Sequence, residues 1–209
     1  MPTNLTKFQK IPNVFDLDIK GRNAKYSGQF STKEIELCLS NKIRYMEKLD
    51  GTNIRVYWDG YNITFHGRTE NSDIPEQLLA KLEEHFLPRE TIFEKLFGER
   101  KVILFGEGIG EKIQNSPAPN EFVLFDVKIE GYYISNLEFL EQVAKELELR
   151  TPEIKEGTLD EVIQLAKELK GTKSKIVQNK FEGFIIHPLV CLFGPRGSRI
   201  SAKLKCEYL

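Results

Sequence analysis

The chain has 209 residues, with 30 Lys and Arg against 31 Asp and Glu and a formal net charge of -1. A chain of that length can bury a core without disulfide or metal staples. Its 40% apolar and 29% charged residues exclude collagen-like, disordered and disulfide-scaffold classes, and the balanced charge excludes a histone-like polyanion binder. Cys38, Cys191 and Cys206 share no CxxC spacing and read as free thiols of a reducing compartment, so no structural zinc site is expected. No apolar run reaches the roughly 18 residues that a membrane span needs. Residues 1–16 lack an apolar signal core, so the expectation is a cytoplasmic protein, complete as a single domain over 1–209.

In chain order, residues 43–49 approximate strand alternation and end at the Asp50–Gly51 turn. Residues 53–58 and 61–66 flank Asp59–Gly60, a strong hairpin signal. Pro75 and the stripe Leu78, Leu79, Leu82 and Phe86 predict a helix over about 75–87. Residues 101–105 form a buried-strand run closed by the Gly106, Gly108 and Gly110 cluster, and 121–129 form another that turns at Glu130–Gly131. Ser135 with Glu138, and Thr158 with Glu161, have capping-box spacing and predict helices over 136–149 and 158–170, the second stopping at Gly171. Residues 184–187 and 199–205 return to strands. The class is α+β, antiparallel sheets flanked by helices.

The chemistry concentrates in Glu47-Lys48-Leu49-Asp50-Gly51-Thr52-Asn53. A lysine at the end of an apolar strand, followed by a glycine turn, falls in a partly buried cleft. There, burial and neighbouring cations favour the neutral, nucleophilic amine. By itself the tetrad also reads as a hairpin turn with a solvated lysine. Four later features accompany it: Phe105-Gly106-Glu107, Phe122-Val-Leu-Phe125-Asp126, Glu182-Gly183-Phe184-Ile185-Ile186, and Lys203-Leu204-Lys205. Side-chain alternation puts Lys203 and Lys205 on one face of a strand. The segment 106–110 has neither dinucleotide-fingerprint nor P-loop spacing, and His66, His85 and His187 have no metal-ligand spacing. Arg196 and Arg199 sit in a turn-rich loop that reads equally as a plain loop or a phosphate or RNA contact.

In this order the five motifs resemble the covalent nucleotidyltransferase superfamily of polynucleotide ligases and RNA capping enzymes, over residues 47–205. Glu47 before the lysine and Thr52–Asn53 after the glycine resemble the RNA ligase 2-type family, as does the opening Phe8-Gln-Lys-Ile-Pro-Asn-Val-Phe15. The resemblance implies a nucleotidyltransferase (ATP-grasp-like ligase adenylation) domain. It also implies an ATP-dependent RNA ligase in which Lys48 takes AMP from ATP, passes it to an RNA 5′-phosphate, and a 3′-hydroxyl displaces it. Lys203 and Lys205 would neutralise the phosphates, Glu107 the ribose hydroxyls, and Arg68 the ribose or the RNA end. Glu47 is assigned to the adenine edge, Asn53 to a phosphate, and Phe125 and Ile185 to the two adenine faces. Phe122 is assigned to the core. The chemistry calls for Mg2+ or Mn2+ near Glu182, with Asp126 as second carboxylate or as a hydrogen-bonding strand-end residue.

DNA ligases and capping enzymes of this superfamily usually carry a C-terminal OB-fold, and RNA ligase 2-type enzymes a helical C-terminal domain instead. Neither follows Lys205 in the 209 residues, so the expectation is a monomeric enzyme whose catalytic domain either suffices by itself or is completed by a partner protein or an RNA scaffold that supplies that surface. The competing readings are a DNA ligase or GTP-dependent capping-type enzyme, and a non-catalytic binder of nucleotides or RNA ends.

Overall fold

A computed structural model describes residues 8–20, 23–69, 72–195 and 197–209, so Arg196 lies outside the described residues. The elements are β1 (Phe15–Lys20), β2 (Asn23–Phe30), α1 (Lys33–Leu39), β3 (Ile43–Glu47), β4 (Thr52–Trp58), β5 (Ile63–His66), α2 (Glu76–Phe86), α3 (Glu90–Phe97), β6 (Val102–Ile109), β7 (Glu121–Ile129), β8 (Tyr132–Tyr133), α4 (Leu137–Glu146), β9 (Ile154–Gly157), α5 (Leu159–Leu169), β10 (Gly183–Pro188) and β11 (Ala202–Lys205). Single 3-10 turns follow α2 and β11. The chain divides into two units, one of Phe8 and Asp50–Pro152, the other of Gln9–Leu49 and Glu153–Leu209. Among the described residues, no helix is long and apolar enough to cross a membrane.

The first unit is built on an antiparallel sheet of order β5-β4-β6-β7-β8. Period-two alternation gives it two distinct faces. One face carries Ile54, Val56, Trp58, Leu104 and Leu124, all buried. Helix aromatics pack there, with Phe86 of α2 at 5.5 Å from the Phe122 ring and Phe93 of α3 at 5.7 Å from Trp58. Strand β6 does not close at its glycines but continues through them to Ile109. A Cβ on Gly106 would lie 2.3 Å from the Phe122 ring, so the glycine makes room for a core aromatic rather than a turn. The opposite face gathers Tyr57, Ile103 and Phe105 against Phe8, Phe125 and Tyr133. Arg55 is fully buried, and its Nε donates to the Gly67 carbonyl at 2.8 Å.

The second unit contains an antiparallel sheet of order β11-β10-β3-β9 and the β1–β2 hairpin. Ile43, Phe184, Ile186, Ala202 and Leu204 join Ile35 and Leu39 of α1 and Val162 and Ala166 of α5 in one apolar core. The capping box of Thr158 and Glu161 forms as expected. The other predicted cap moves by one residue: α4 is capped by Asn136, whose side chain accepts from Phe139 N, and the helix ends at Glu146. Residue Glu148 then takes φ 53°, which ends helical continuation.

One histidine of this sheet sets an acid limit. His187 lies opposite Arg44 on β3, and its Nδ1 is buried with no hydrogen-bond partner among the described residues. Burial first, then the Arg199 and Arg44 cations, hold its pKa down from 6.5 to about 3. The unfolded chain therefore takes up a proton near pH 6.5 that the folded chain refuses until about pH 3. Stability present above that window is lost as the pH falls through it, by up to about 1.4 kcal/mol per pH unit. Urea unfolding of wild type and His187→Gln at pH 7 and pH 5 checks this. The variant should lose less stability on acidification, and an equal loss would refute the assignment.

Candidate active site

Lys48 follows β3 directly, and its backbone N–H donates to the Gly183 carbonyl at 2.9 Å, which extends the β3–β10 ladder by one step. Its Nζ donates to Glu182 Oε2 at 2.5 Å. Lys205 Nζ reaches Glu182 Oε1 at 3.1 Å and Glu207 Oε1 at 2.6 Å, and lies 5.5 Å from the Tyr208 ring centroid. One carboxylate thus bridges two lysines contributed by different strands. All three side chains are mostly buried, which raises the strength of each charge interaction relative to a surface pair.

Lys203 stands opposite Ile185, and Ile185 opposite Met46, on the face that also carries Lys205. Burial first, then the charges of Lys48 and Lys205, lower the Lys203 pKa against the pull of Glu182, and Lys10 adds to the lowering. For Lys205 burial also acts downward, but the hydrogen bonds to Glu207 and Glu182 outweigh it and the net shift is upward. Glu207 is correspondingly lowered, first by the Lys205 hydrogen bond. The two lysines are therefore electrostatically different: Lys205 is saturated by carboxylates, whereas Lys203 has a surplus of positive neighbours.

Two supports of this cluster carry no sequence motif. Tyr26 of β2 accepts the Lys205 N–H at 2.7 Å through its hydroxyl, and burial pushes its pKa up to about 12. Glu207 sits two residues after Lys205 in the 3-10 turn that follows β11, where strand alternation no longer applies. Gly183 takes φ +148°, and a Cβ there would lie 2.0 Å from the Leu204 carbonyl oxygen. Gly183→Ala is expected to cost about 2–4 kcal/mol from backbone strain and overlap. Urea denaturation measures this, and a change below about 1 kcal/mol would contradict it.

Glu47 lies opposite Phe184, whose ring belongs to the helix-covered core, and its Oε1 is buried. Its side chain therefore belongs to the other face of β3 from Met46 and the Lys203 row. In the first unit, Asn53 and Glu107 are direct cross-strand partners on β4 and β6, and Asn53 Oδ1 is buried with no partner among the described residues. A bulge separates the two aromatics of β7: Phe105 pairs with Asp126 and Gly106 with Leu124, leaving Phe125 as the extra residue. Phe122 enters the helix-side core, while Phe125 meets Phe8 edge-on at 5.3 Å on the opposite face. The Asp126 carboxylate is buried and accepts the Val127 N–H at 3.1 Å. Arg68 is exposed just after β5. Among the described residues, no group of three or more His, Cys, Asp or Glu side chains could hold a metal ion.

The solved structures similar to this chain include a Naegleria gruberi RNA ligase lysine-to-alanine mutant with ATP and Mn, at TM-score 0.67 and 19% identity over 98% of this chain. An apo aspartate-to-alanine mutant of that ligase matches at TM-score 0.66 and 21% identity over 99% of this chain. The same ligase with PPi matches at TM-score 0.60 and 21% identity, over 82% of this chain and 51% of its own. The chain spans 57% of the length of each of the first two. A search of curated proteins finds no match. The fold is thus the mixed α/β nucleotidyltransferase fold of RNA ligases, with antiparallel sheets. The RNA ligase family profile matches residues 41–205, and the chain belongs to the RNA ligase family.

Proposed function

We propose that this protein is an ATP-dependent RNA ligase that joins 5′-phosphate and 3′-hydroxyl RNA ends through a covalent lysyl-AMP, with residues 1–209 as its nucleotidyltransferase domain. The observation that carries the reading is the Lys48–Glu182–Lys205 cluster, with Lys203 beside it, inside the segment that matches the family. Lys48 Nζ attacks the α-phosphorus of ATP. A nitrogen–phosphorus bond forms, the bond to the bridging β-phosphate oxygen breaks, and pyrophosphate leaves. The RNA 5′-phosphate then takes the AMP, and the 3′-hydroxyl displaces it to form the phosphodiester.

The chain supplies position and charge for these steps. Glu182 and the Gly183 carbonyl fix Lys48 at both its head and its backbone. Lys203 and Lys205 place positive charge where negative charge develops on the phosphate oxygens, an effect largest in a water-poor site. Ile185, opposite Lys203, offers an apolar surface to the base. Glu107 and Asn53 are the groups of the first unit assigned to the ribose and a phosphate, with Phe125 assigned to the base and Arg68 to the RNA end.

The donor set fits a hard divalent cation in one way. Glu182 is the carboxylate that would hold it, and with no acidic cage among the described residues the remaining oxygens would come from phosphates and water. When bound, Mg2+ or Mn2+ neutralises phosphate charge and stabilises the departing pyrophosphate. Asp126, whose carboxylate already accepts a backbone N–H, is assigned to positioning β7 rather than to the metal.

Transfer of label from α-labelled ATP and GTP to the purified protein, with magnesium or manganese, tests the reading. An acid-labile, base-stable adduct from ATP, followed by sealing of RNA ends, is expected. A GTP adduct would indicate a capping-type enzyme. Sealing of DNA ends alone would indicate a DNA ligase. A folded, AMP-free protein that takes no label would indicate a non-catalytic binder.

A further inference from the structure

A strap along the outer edge of the second unit's sheet has no part in the roles assigned so far. Asn13 bridges Lys203 in parallel, Lys203 N donates to the Pro12 carbonyl at 2.8 Å, and Val14 N donates to the Lys203 carbonyl at 3.0 Å. The strap thereby acts as one more strand beside β11. Gln9 locks its far end: its Nε2 donates to the Arg199 carbonyl at 2.5 Å and to Ser201 Oγ at 3.0 Å, and its Oε1 accepts the Arg199 N–H at 2.8 Å. A lysine on such a strap has its backbone flanked by fixed residues on both sides, while its exposed side chain stays free to reach a ligand.

That lysine is Lys10. It lines an open cleft of about 500 Å³ together with Lys203, Asn13, Asp16 and Ser31. Ser31 Oγ is committed to the Asn13 carbonyl at 2.5 Å, and Asn13 Oδ1 has no hydrogen-bond partner among the described residues. Lys203 forms no ion pair among those described within the cluster, while Lys48, Lys205 and Lys10 all bear on it. Four lysines thus face three carboxylates: Glu182 and Glu207, both engaged by Lys205, and Asp16 in the cleft itself. One positive charge remains in excess beside a space large enough for a phosphate group.

We propose that Lys10 and Lys203 form a phosphate-binding subsite in this cleft, beside the Lys48–Glu182–Lys205 cluster. It rests on the ligase reading only for the source of its ligand. The ligand chemistry is a phosphate oxyanion, carried either by the pyrophosphate portion of the nucleotide or by the 5′-phosphate of an RNA end. Lys203 serves as the shared wall between the two sites, and the Asn13 amide can turn its N–H end to the same oxyanion.

Calorimetric binding to the full chain tests this with three probes: inorganic pyrophosphate, a short RNA with a 5′-phosphate, and the same RNA with a 5′-hydroxyl. Lys10→Ala is expected to weaken pyrophosphate or the 5′-phosphorylated RNA by about 5- to 20-fold, as for loss of one charge-assisted contact, with recovery in Lys10→Arg. Lys145→Ala on α4 removes the same charge elsewhere and should leave both nearly unchanged. Loss for pyrophosphate assigns the subsite to the nucleotide. Loss confined to the RNA bearing a 5′-phosphate assigns it to the RNA end. Equal affinities of wild type and Lys10→Ala for all three probes, or an equal loss in Lys145→Ala, overturn the subsite. Thermal melting confirms that each variant is folded. A wild type that binds pyrophosphate but takes no label from ATP would refute the ligase reading and leave the subsite standing.

Discussion

Lys48→Ala is expected to reduce covalent AMP attachment by about 10⁴-fold or more, because no other group can replace the bond-forming amine. The fold should survive. The Lys48 N–H to Gly183 carbonyl bond belongs to the backbone and is kept, and Glu182 retains Lys205 as a partner at 3.1 Å. No buried carboxylate is left without a cation, so the usual large cost of breaking one half of a buried pair is avoided. Labelling with α-labelled ATP, read beside thermal melting, separates the two effects. Persistent labelling of the folded variant would move the nucleophile to another lysine. Lys203 and Lys205 are the next to examine, since they share its face of the sheet.

Glu182→Gln should have the second-largest effect, about 10²- to 10³-fold on nucleotidyl transfer. The substitution keeps the shape but removes the charge that two lysines share at 2.5 and 3.1 Å. Lys48, Lys203 and Lys205 would then face one another with Glu207 as the remaining carboxylate, and Lys48 would lose the contact that fixes its head. Glu207→Gln is the informative comparison. Glu207 pairs with Lys205 but not with Lys48 and is half exposed, so its loss should cost less than about tenfold. Single-turnover labelling of both variants at saturating ATP measures this. Equal effects would mean that Glu182 acts through general charge balance rather than through its bridge.

The later motifs were legible because they obey short rules. Lys203 and Lys205 share a face since strand alternation has period two, and the structure pairs them with Ile185 and Gly183. The Thr158 and Glu161 spacing gave a helix start, since two backbone N–H groups there need two side-chain acceptors. The β1–β2 hairpin, α1, α3 and β9 had no such signature. Strand β1 is exposed at most positions, so no apolar alternation marks it, and α1 is a seven-residue helix that buries only Ile35 and Leu39. Local rules end strand β6 at its glycines, because glycine is ordinarily a turn signal. The Phe122 ring packed against Gly106 is a partner that local rules cannot supply.

The site divides in the same way. Sequence alone picked out the residues to which the chemistry is assigned in the proposal: a lysine before Asp50–Gly51, carboxylates at Glu107 and Glu182, and the paired lysines near the end. Those follow from residue identity and spacing over a few positions. Tertiary structure decided the rest. It set Glu182 between Lys48 and Lys205, turned Glu47 to the covered side opposite Phe184, and closed Tyr26 and the Lys10 strap onto β11. Each of these contacts joins residues far apart in the chain. Their partners are chosen by strand pairing and burial across the whole unit, and no window of sequence contains both sides of that choice.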